Sequence, residues 1–289
     1  MNDSRKPLLR FQVITDTHIT ADPDHDYNRH FDRALQDIAH MAPDSAGIMH
    51  VGDITDHGFE TEYAEFDRIW SSNRASGLQT PILFTHGNHD LFLGPVDEQL
   101  SRYERYSGMK GAYHAHWIGS YPFIFIGSED GGIEDFADLS KEQLAWLETK
   151  LEEARQQDRP AFLFLHQPLK HTVAGSLDGQ GWHGVKQDDE LRGLLERYPR
   201  TILFNGHTHW ELTAPHGQFA ADEQSAVMFN AASVAYLWTD EDEAKAGSQG
   251  YYVEVYADRI VVQGRDFAAG AWIEEAVYEI KRHTSSVQS

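Results

Sequence analysis

Short apolar runs that stop abruptly at polar, often glycine-bearing turns punctuate this chain. Leu8–Thr15 stops at Asp16-Thr17-His18, Ile48–Val51 at Gly52-Asp53-Ile54-Thr55-Asp56, and Ile82–Thr85 at His86-Gly87-Asn88-His89-Asp90. Ala161–Leu165 stops at His166, and Thr201–Phe204 at Asn205-Gly206-His207-Thr208-His209. Apolar runs of this length, bounded by glycine, predict buried strands. Between them the period lengthens. Phe31, Leu35, Ile38 and Met41 recur at helical spacing and predict a helix over Asn28–Met41, with His30 and His40 as surface residues. Phe59, Tyr63, Phe66, Ile69 and Trp70 predict another over Phe59–Ser72. Leu144, Leu147 and Leu151 mark the buried stripe of a helix over Leu139–Ala154 that Ser140 can cap, and Asp188–Tyr198 is a shorter one.

Strands alternating with helices predict a βαβα start and a largely parallel sheet. Tyr113–Trp117 and Pro122–Ile126 read as an antiparallel hairpin. Beyond Trp210 the period becomes two, and Val227–Ala231, Gly250–Tyr256, Arg259–Arg265 and Trp272–Ile280 read as antiparallel strands. Thr172–Gly184 is a long polar, glycine-rich loop, Thr239–Glu243 a solvated acidic one, and the tail after Arg282 is expected to fray.

Side chains at the carboxyl ends of neighbouring strands in an α/β sheet converge on one crevice. Asp16 and His18 sit two apart, so in extended backbone they face the same way and can reach one metal. Candidate ligands run from Asp16 to His209, which requires most of the chain in one domain; residues 1–289 are read as a single domain.

Composition narrows the chemistry. Hydrophobic residues make up 40 %, with 7 Trp and 15 Phe, enough for a sizeable core. With 46 acidic against 24 basic side chains the net charge is −22 and no Lys/Arg cluster forms a basic stripe, which disfavours long nucleic acid as a partner. There is no cysteine, so any metal must be held by His, Asp, Glu or Asn. The first residues lack a signal-peptide core and no apolar run reaches membrane-spanning length; no membrane association and a cytoplasmic, soluble protein are expected.

Together, Asp16-x-His18, Gly52-Asp53-x-x-Asp56, Gly87-Asn88-His89-Asp90, His166 and Gly206-His207-x-His209 resemble the calcineurin-like metallophosphoesterases over residues 8–210. The resemblance implies an α/β fold, a four-layer α/β/β/α sandwich of two mixed sheets, with the antiparallel strands of 210–282 completing the second sheet. It assigns Asp16, His18 and His209 to one metal ion, Asn88, His166 and His207 to a second, and Asp53 to a bridging carboxylate. Two divalent ions ~3.5–4 Å apart repel, and a shared carboxylate and hydroxide offset that. With Asp16, Asp53 and that hydroxide the centre carries roughly +1, a positive pit in an acidic protein. Imidazole and oxygen ligands suit manganese, iron, zinc or cobalt. His89, not a ligand in the family, would stabilise the phosphoryl group or protonate the departing alkoxide; Asp56 would orient it through its carboxylate. Asp90 is expected to hold the turn. His171, Trp182 and His183, on the loop after His166, are the candidates for substrate contact.

His57 stands where the protein Ser/Thr phosphatase branch carries arginine, and Asp90 where it carries glutamate. Loss of a guanidinium removes a bidentate phosphate clamp. A monoester dianion needs more positive charge than a diester monoanion, so this departure favours a small phosphodiester substrate, of cyclic nucleotide or glycerophosphodiester type. The Asp90 variant looks closest to the bacterial class III cyclic nucleotide phosphodiesterases and glycerophosphodiesterases, although Gln167 and His86 depart from what those groups often show. The alternatives are a phosphomonoesterase or nucleotide pyrophosphatase on the same centre, and a non-catalytic protein-binding scaffold. Aromatic residues among the later strands are candidates for a homo-oligomer interface.

Overall fold

Period-two alternation divides the apolar residues of each strand between two environments, and this division builds the layers. In the computed structural model, which describes residues 6–130, 135–182, 184–222 and 224–281, the chain runs β1 (Leu9–Ile14), α1 (Asp26–Met41), β2 (Ile48–Val51), α2 (Glu60–Ala75), β3 (Ile82–Thr85), α3 (Asn88–Leu91) and α4 (Val96–Ser107). It continues with β4 (His114–Ile118), β5 (Tyr121–Phe125), α5 (Lys141–Gln156), β6 (Ala161–Phe164), α6 (Asp188–Arg197) and β7 (Thr201–Asn205). Then come β8 (Gln218–Phe219), β9 (Val227–Asn230), β10 (Leu237–Trp238), β11 (Ala244–Lys245), β12 (Gln249–Val255), β13 (Arg259–Asp266) and β14 (Ala271–Lys281).

Two six-stranded sheets form, in the orders β14-β13-β12-β1-β2-β3 and β4-β5-β6-β7-β9-β8. Phe123 and Phe125 of β5 point between the sheets and join Phe11, Val13, Met49, Val51, Phe162, Phe164, Phe204 and Phe229 in the central core. Ile124 points the other way, to Leu147, Leu151, Leu191 and Leu194 of α5 and α6. On the outer face of the first sheet, Ile14, Ile48 and Phe84 meet Phe31, Leu35, Ile38, Tyr63, Phe66 and Ile69 of α1 and α2. Helices on both outer faces give the expected α/β/β/α sandwich. Both sheets are mixed: β1-β2-β3 and β5-β6-β7-β9 are parallel, while β12 joins β1 and β4 joins β5 antiparallel.

Two expectations about the later strands are corrected. Val227–Ala231 was expected to be antiparallel, but β9 runs parallel to β7, with Ile202 opposite Val227. All of β9 is buried, as a strand covered on both faces must be, and a two-residue period carries no direction. The strands of 210–282 do not complete one sheet. β8 and β9 extend the sheet of β7, whereas β12, β13 and β14 extend that of β1, with Val13 opposite Tyr251. Strand partners are chosen by tertiary packing, which periodicity does not report. Sequence reading also misses α4, whose buried positions are Gln99 and Tyr103, so it has no apolar stripe; Gly108, at φ 73°, ends it. The tail after Arg282 lies outside the described residues. Among them no helix is long and apolar enough to cross a membrane.

Phe11 is fully buried and meets Phe123 and Phe162 edge-on at 4.9 and 4.8 Å, at the seam between the sheets. Phe11→Ala is expected to cost about 3–5 kcal/mol in urea denaturation. Leu8→Ala, next to the same strand but 46 % exposed, should stay within about 0.5 kcal/mol. Equal losses would show that the seam is not where packing energy is concentrated.

Candidate metal centre

Five strand ends deliver the polar side chains, and the backbone leaves its ordinary conformation where it does so. Asp16, His18, Asp53, His207 and His209 all have left-handed backbone, with φ between 42° and 69°. Non-glycine residues rarely adopt it, and each costs on the order of 1–3 kcal/mol. The motif glycines permit the close approach of neighbouring turns. A methyl group at Gly87 would collide with the Asp53 carboxylate, and one at Gly206 with Thr15 and Asp16.

These turns bring together all the residues that the resemblance assigns to metal. In one half, Asp16 Oδ1 lies 2.8 Å from His209 Nε2, and the Nε2 atoms of His18 and His209 are 3.2 Å apart. In the other, His207 Nδ1 lies 3.0 Å from Asn88 Oδ1, and the rings of His166 and His207 are 5.3 Å apart. Asp53 stands between the halves: its Oδ2 is 3.1 Å from His166 Nε2 and 3.7 Å from His18 Nε2.

The donor chemistry fits cations. His166 Nδ1 donates to the Val51 carbonyl at 2.7 Å, which turns the buried Nε2 toward the Asp53 carboxylate. Ligand atoms of Asp16, His18, Asp53 and His209 all lie within 4.8 Å of one another. Burial opposes ionisation of Asp16, yet the imidazoles of His209, His166 and His18 outweigh it and hold the carboxyl well below the usual range. Asp53 is lowered as well, against its burial, chiefly by His166 and His89. Burial alone would lower His18 and His166, but the facing carboxylates raise them to about 10 and about 9. A pocket that draws protons onto buried imidazoles demands positive charge. Burial, with His166 opposite, lowers His207 to about 3, so this imidazole is a neutral donor.

Supporting contacts fix these groups. Asp90 is buried and accepts from the main-chain N–H groups of Ile54, Thr55 and Gly87 and from the hydroxyls of Thr55 and Tyr63, so it holds two turns together. Asn88 donates its amide nitrogen to Asp135 Oδ1 at 3.2 Å, which aims its oxygen at His207. Asp56 departs from expectation. Its carboxylate lies 3.1 Å from His18 Nδ1; its main-chain carbonyl, not its carboxylate, accepts from His89 Nδ1 at 2.7 Å. The side chain therefore orients a candidate ligand, and the backbone orients His89. The His89 N–H also donates to Asp53 Oδ1 at 2.9 Å, and its ring meets that of His18 edge-on at 4.6 Å.

Of the candidate substrate contacts, Trp182 stands beside the centre, its ring 6.1 Å from that of His207. His171 is exposed and faces Asp178 at 3.2 Å, and no contact links it to the cluster among the described residues. His183 lies outside the described residues. Sequence reading missed the loop after β9. Ser233 Oγ donates to the Asp16 carbonyl, and the N–H groups of Val234 and Ala235 donate to the carbonyls of Thr15 and Asp16, each at 3.0 Å. His30, expected at the surface, is half-buried and holds the Ala235 carbonyl at 2.8 Å. The loop thereby sets the Tyr236 ring 4.4 Å from that of His209. Asn230-Ala231-Ala232-Ser233 ends an apolar run, as the other motif turns do, but its small residues carry no ligand signature.

Asp135→Ala should weaken binding of the ion in the Asn88 half roughly tenfold and leave the other half's affinity unchanged, as outer contacts to ligands typically do. Calorimetric titration with manganese measures both; identical isotherms for parent and variant would contradict the orienting role of Asp135.

The description of calcineurin-like phosphoesterases matches the chain over residues 9–211. A probable glycerophosphodiester phosphodiesterase, GpdQ, of Arcobacter nitrofigilis is 29 % identical over 206 residues, 68 % of this chain and 70 % of that protein. A probable cyclic nucleotide phosphodiesterase of Pseudoalteromonas sp. is 27 % identical over 250 residues, 82 % of this chain and 85 % of that one. Among solved structures, a dimetal phosphatase from Danio rerio superimposes with a TM-score of 0.68 at 15 % identity, covering 96 % of this chain and 100 % of that one, a likeness of fold. By its motifs, its sandwich and these matches, the chain belongs to the calcineurin-like phosphoesterases, metal-dependent hydrolases of phosphoric esters.

Proposed function

We propose that this protein is a two-metal phosphodiesterase that hydrolyses a small phosphodiester of the cyclic nucleotide or glycerophosphodiester type. The observation that carries the choice of diester is the poverty of fixed positive charge. Among the described residues no arginine or lysine side chain is hydrogen-bonded or ion-paired to the candidate ligands, to Asp56 or to His89. Of the two cations that could replace the lost charge, Arg29 faces Asp24 and Asp26, and no hydrogen bond or ion pair links the exposed Lys170 side chain to the ligands among the described residues. Asp56 and Asp135 add negative charge beside the ligands. A diester monoanion tolerates this better than a monoester dianion. The phosphodiesterase names of the two relatives agree with this choice.

Asp16, His18 and His209 would hold one ion, Asn88, His166 and His207 the other, and Asp53 both; manganese, iron, zinc and cobalt suit this donor set. Such a pair supplies a water nucleophile at neutral pH and neutralises charge on the phosphoryl oxygens. The protein's own groups do the rest. The Asp56 carboxylate fixes the His18 ring for its task. The Asp56 carbonyl holds His89 Nδ1–H, which leaves His89 Nε2 to carry the proton that the departing alkoxide takes up.

After manganese loading, bis-p-nitrophenyl phosphate should turn over faster than p-nitrophenyl phosphate. His89→Ala should lower kcat by about 10²–10⁴-fold at unchanged metal content. Faster monoester hydrolysis would favour a phosphomonoesterase or pyrophosphatase, and metal analysis showing no bound ion in loaded buffer would favour a non-catalytic scaffold.

A further inference from the structure

Acidic side chains outnumber basic ones 46 to 24 in this chain, yet four arginines meet around one cavity. Arg155 and Arg159 come from the end of α5 and the turn after it, Arg197 and Arg200 from the end of α6 and the turn after it. The cavity they line has a volume of about 180 Å³; Leu151, Ala154 and Ala161 give it a buried apolar wall, and among the described residues no Asp or Glu lines it. It sits where β6 and β7 begin, at Ala161 and Thr201. His166 and His207 follow the other ends of those strands, roughly 16 Å of extended chain away, so this is not the metal centre.

Three of the four arginines have an ordinary explanation. Arg155 and Arg197 stand in the last turns of their helices, where a cation offsets the helix dipole, and they face Glu152 and Glu148 at 2.7 and 2.8 Å. Arg200 faces Asp158. Arg159 has no such partner. Its main-chain N–H donates to the Ala154 carbonyl at 3.0 Å, which fixes its place at the rim. Its side chain is half-buried, with the guanidinium 5.4 Å over the Tyr121 ring, and makes no hydrogen bond or ion pair among the described residues. The ring attracts the cation but offers its N–H fork no oxygen acceptor, and that fork matches a carboxylate.

An apolar wall with one unmatched cation suits a ligand with an apolar body and a single negative charge. A phosphate dianion calls for more than one free cation, and a neutral hydrocarbon would leave Arg159 unmatched. A cavity of ~150 Å³ holds a benzene ring, so this one has room for an aromatic ring or a short acyl chain. We propose that the cavity binds a small apolar carboxylic acid, its body against Leu151, Ala154 and Ala161 and its carboxylate on Arg159. No residue of the metal centre takes part, so the proposal stands apart from the phosphoesterase reading.

Calorimetric titration of the manganese-loaded protein tests it. Octanoate should bind about tenfold more tightly than octan-1-ol, the margin given by a hydrogen bond to a charged group. Acetate, which lacks the apolar body, should bind more weakly than octanoate by at least about tenfold. Arg159→Gln should bring octanoate down to the affinity of octan-1-ol and leave octan-1-ol unchanged, which also reports an intact cavity in the variant. Arg197→Gln, which removes a guanidinium already facing Glu148, should keep the preference. Equal affinities for the acid and the alcohol in the parent, acetate or octylamine binding as tightly as octanoate, or a preference that survives Arg159→Gln would overturn the proposal.

Discussion

The arrangement depends on one electrostatic constraint: the buried carboxylates of Asp16 and Asp53 must be matched by positive charge in the same small volume. An unpaired buried carboxylate is strongly disfavoured. Here both are held ionised by the imidazoles around them. Asp53 occupies the middle, within 3.7 Å of a histidine nitrogen on either side, and its second oxygen takes the His89 N–H. A pair of cations would satisfy this demand better than protons, because one of them could also use the Asn88 amide oxygen aimed inward, which takes up no proton at neutral pH.

This constraint ties the site to the sandwich. Asp16, His18, Asp53 and Asn88 follow β1, β2 and β3 of one sheet, whereas His166, His207 and His209 follow β6 and β7 of the other. Each half of the centre thus takes side chains from both sheets. The aromatic seam around Phe11 sets the spacing between the sheets, and that spacing places the imidazoles of one opposite the carboxylates of the other. The left-handed turns at the ligands are the local cost of aiming side chains across the gap, and the crowding at Gly87 and Gly206 shows how little room is left.

The strand ends were legible because each couples an apolar run to a polar turn, as in Ile82–Thr85 followed by Gly87-Asn88-His89. Alternating strands and helices implied a largely parallel sheet, and the four-layer sandwich came from the motif resemblance alone. Strand partnership was not legible: nothing in the period of Val227–Asn230 distinguishes a parallel neighbour of β7 from an antiparallel hairpin arm. Nor was the choice between side chain and backbone at Asp56, since either oxygen could meet His89 and only the three-dimensional turn gives the carboxylate to His18. Tyr236 escaped notice because its approach to His209 is created by hydrogen bonds from a loop of small residues to the main chain of Thr15 and Asp16.

The central claim is that Asp53 joins two cations across the meeting point of the sheets. Anomalous diffraction from crystals soaked in manganese tests it directly. The account predicts two peaks ~3.5–4 Å apart, each within bonding distance of an Asp53 carboxylate oxygen. A single peak, or a pair that Asp53 does not touch, would contradict it.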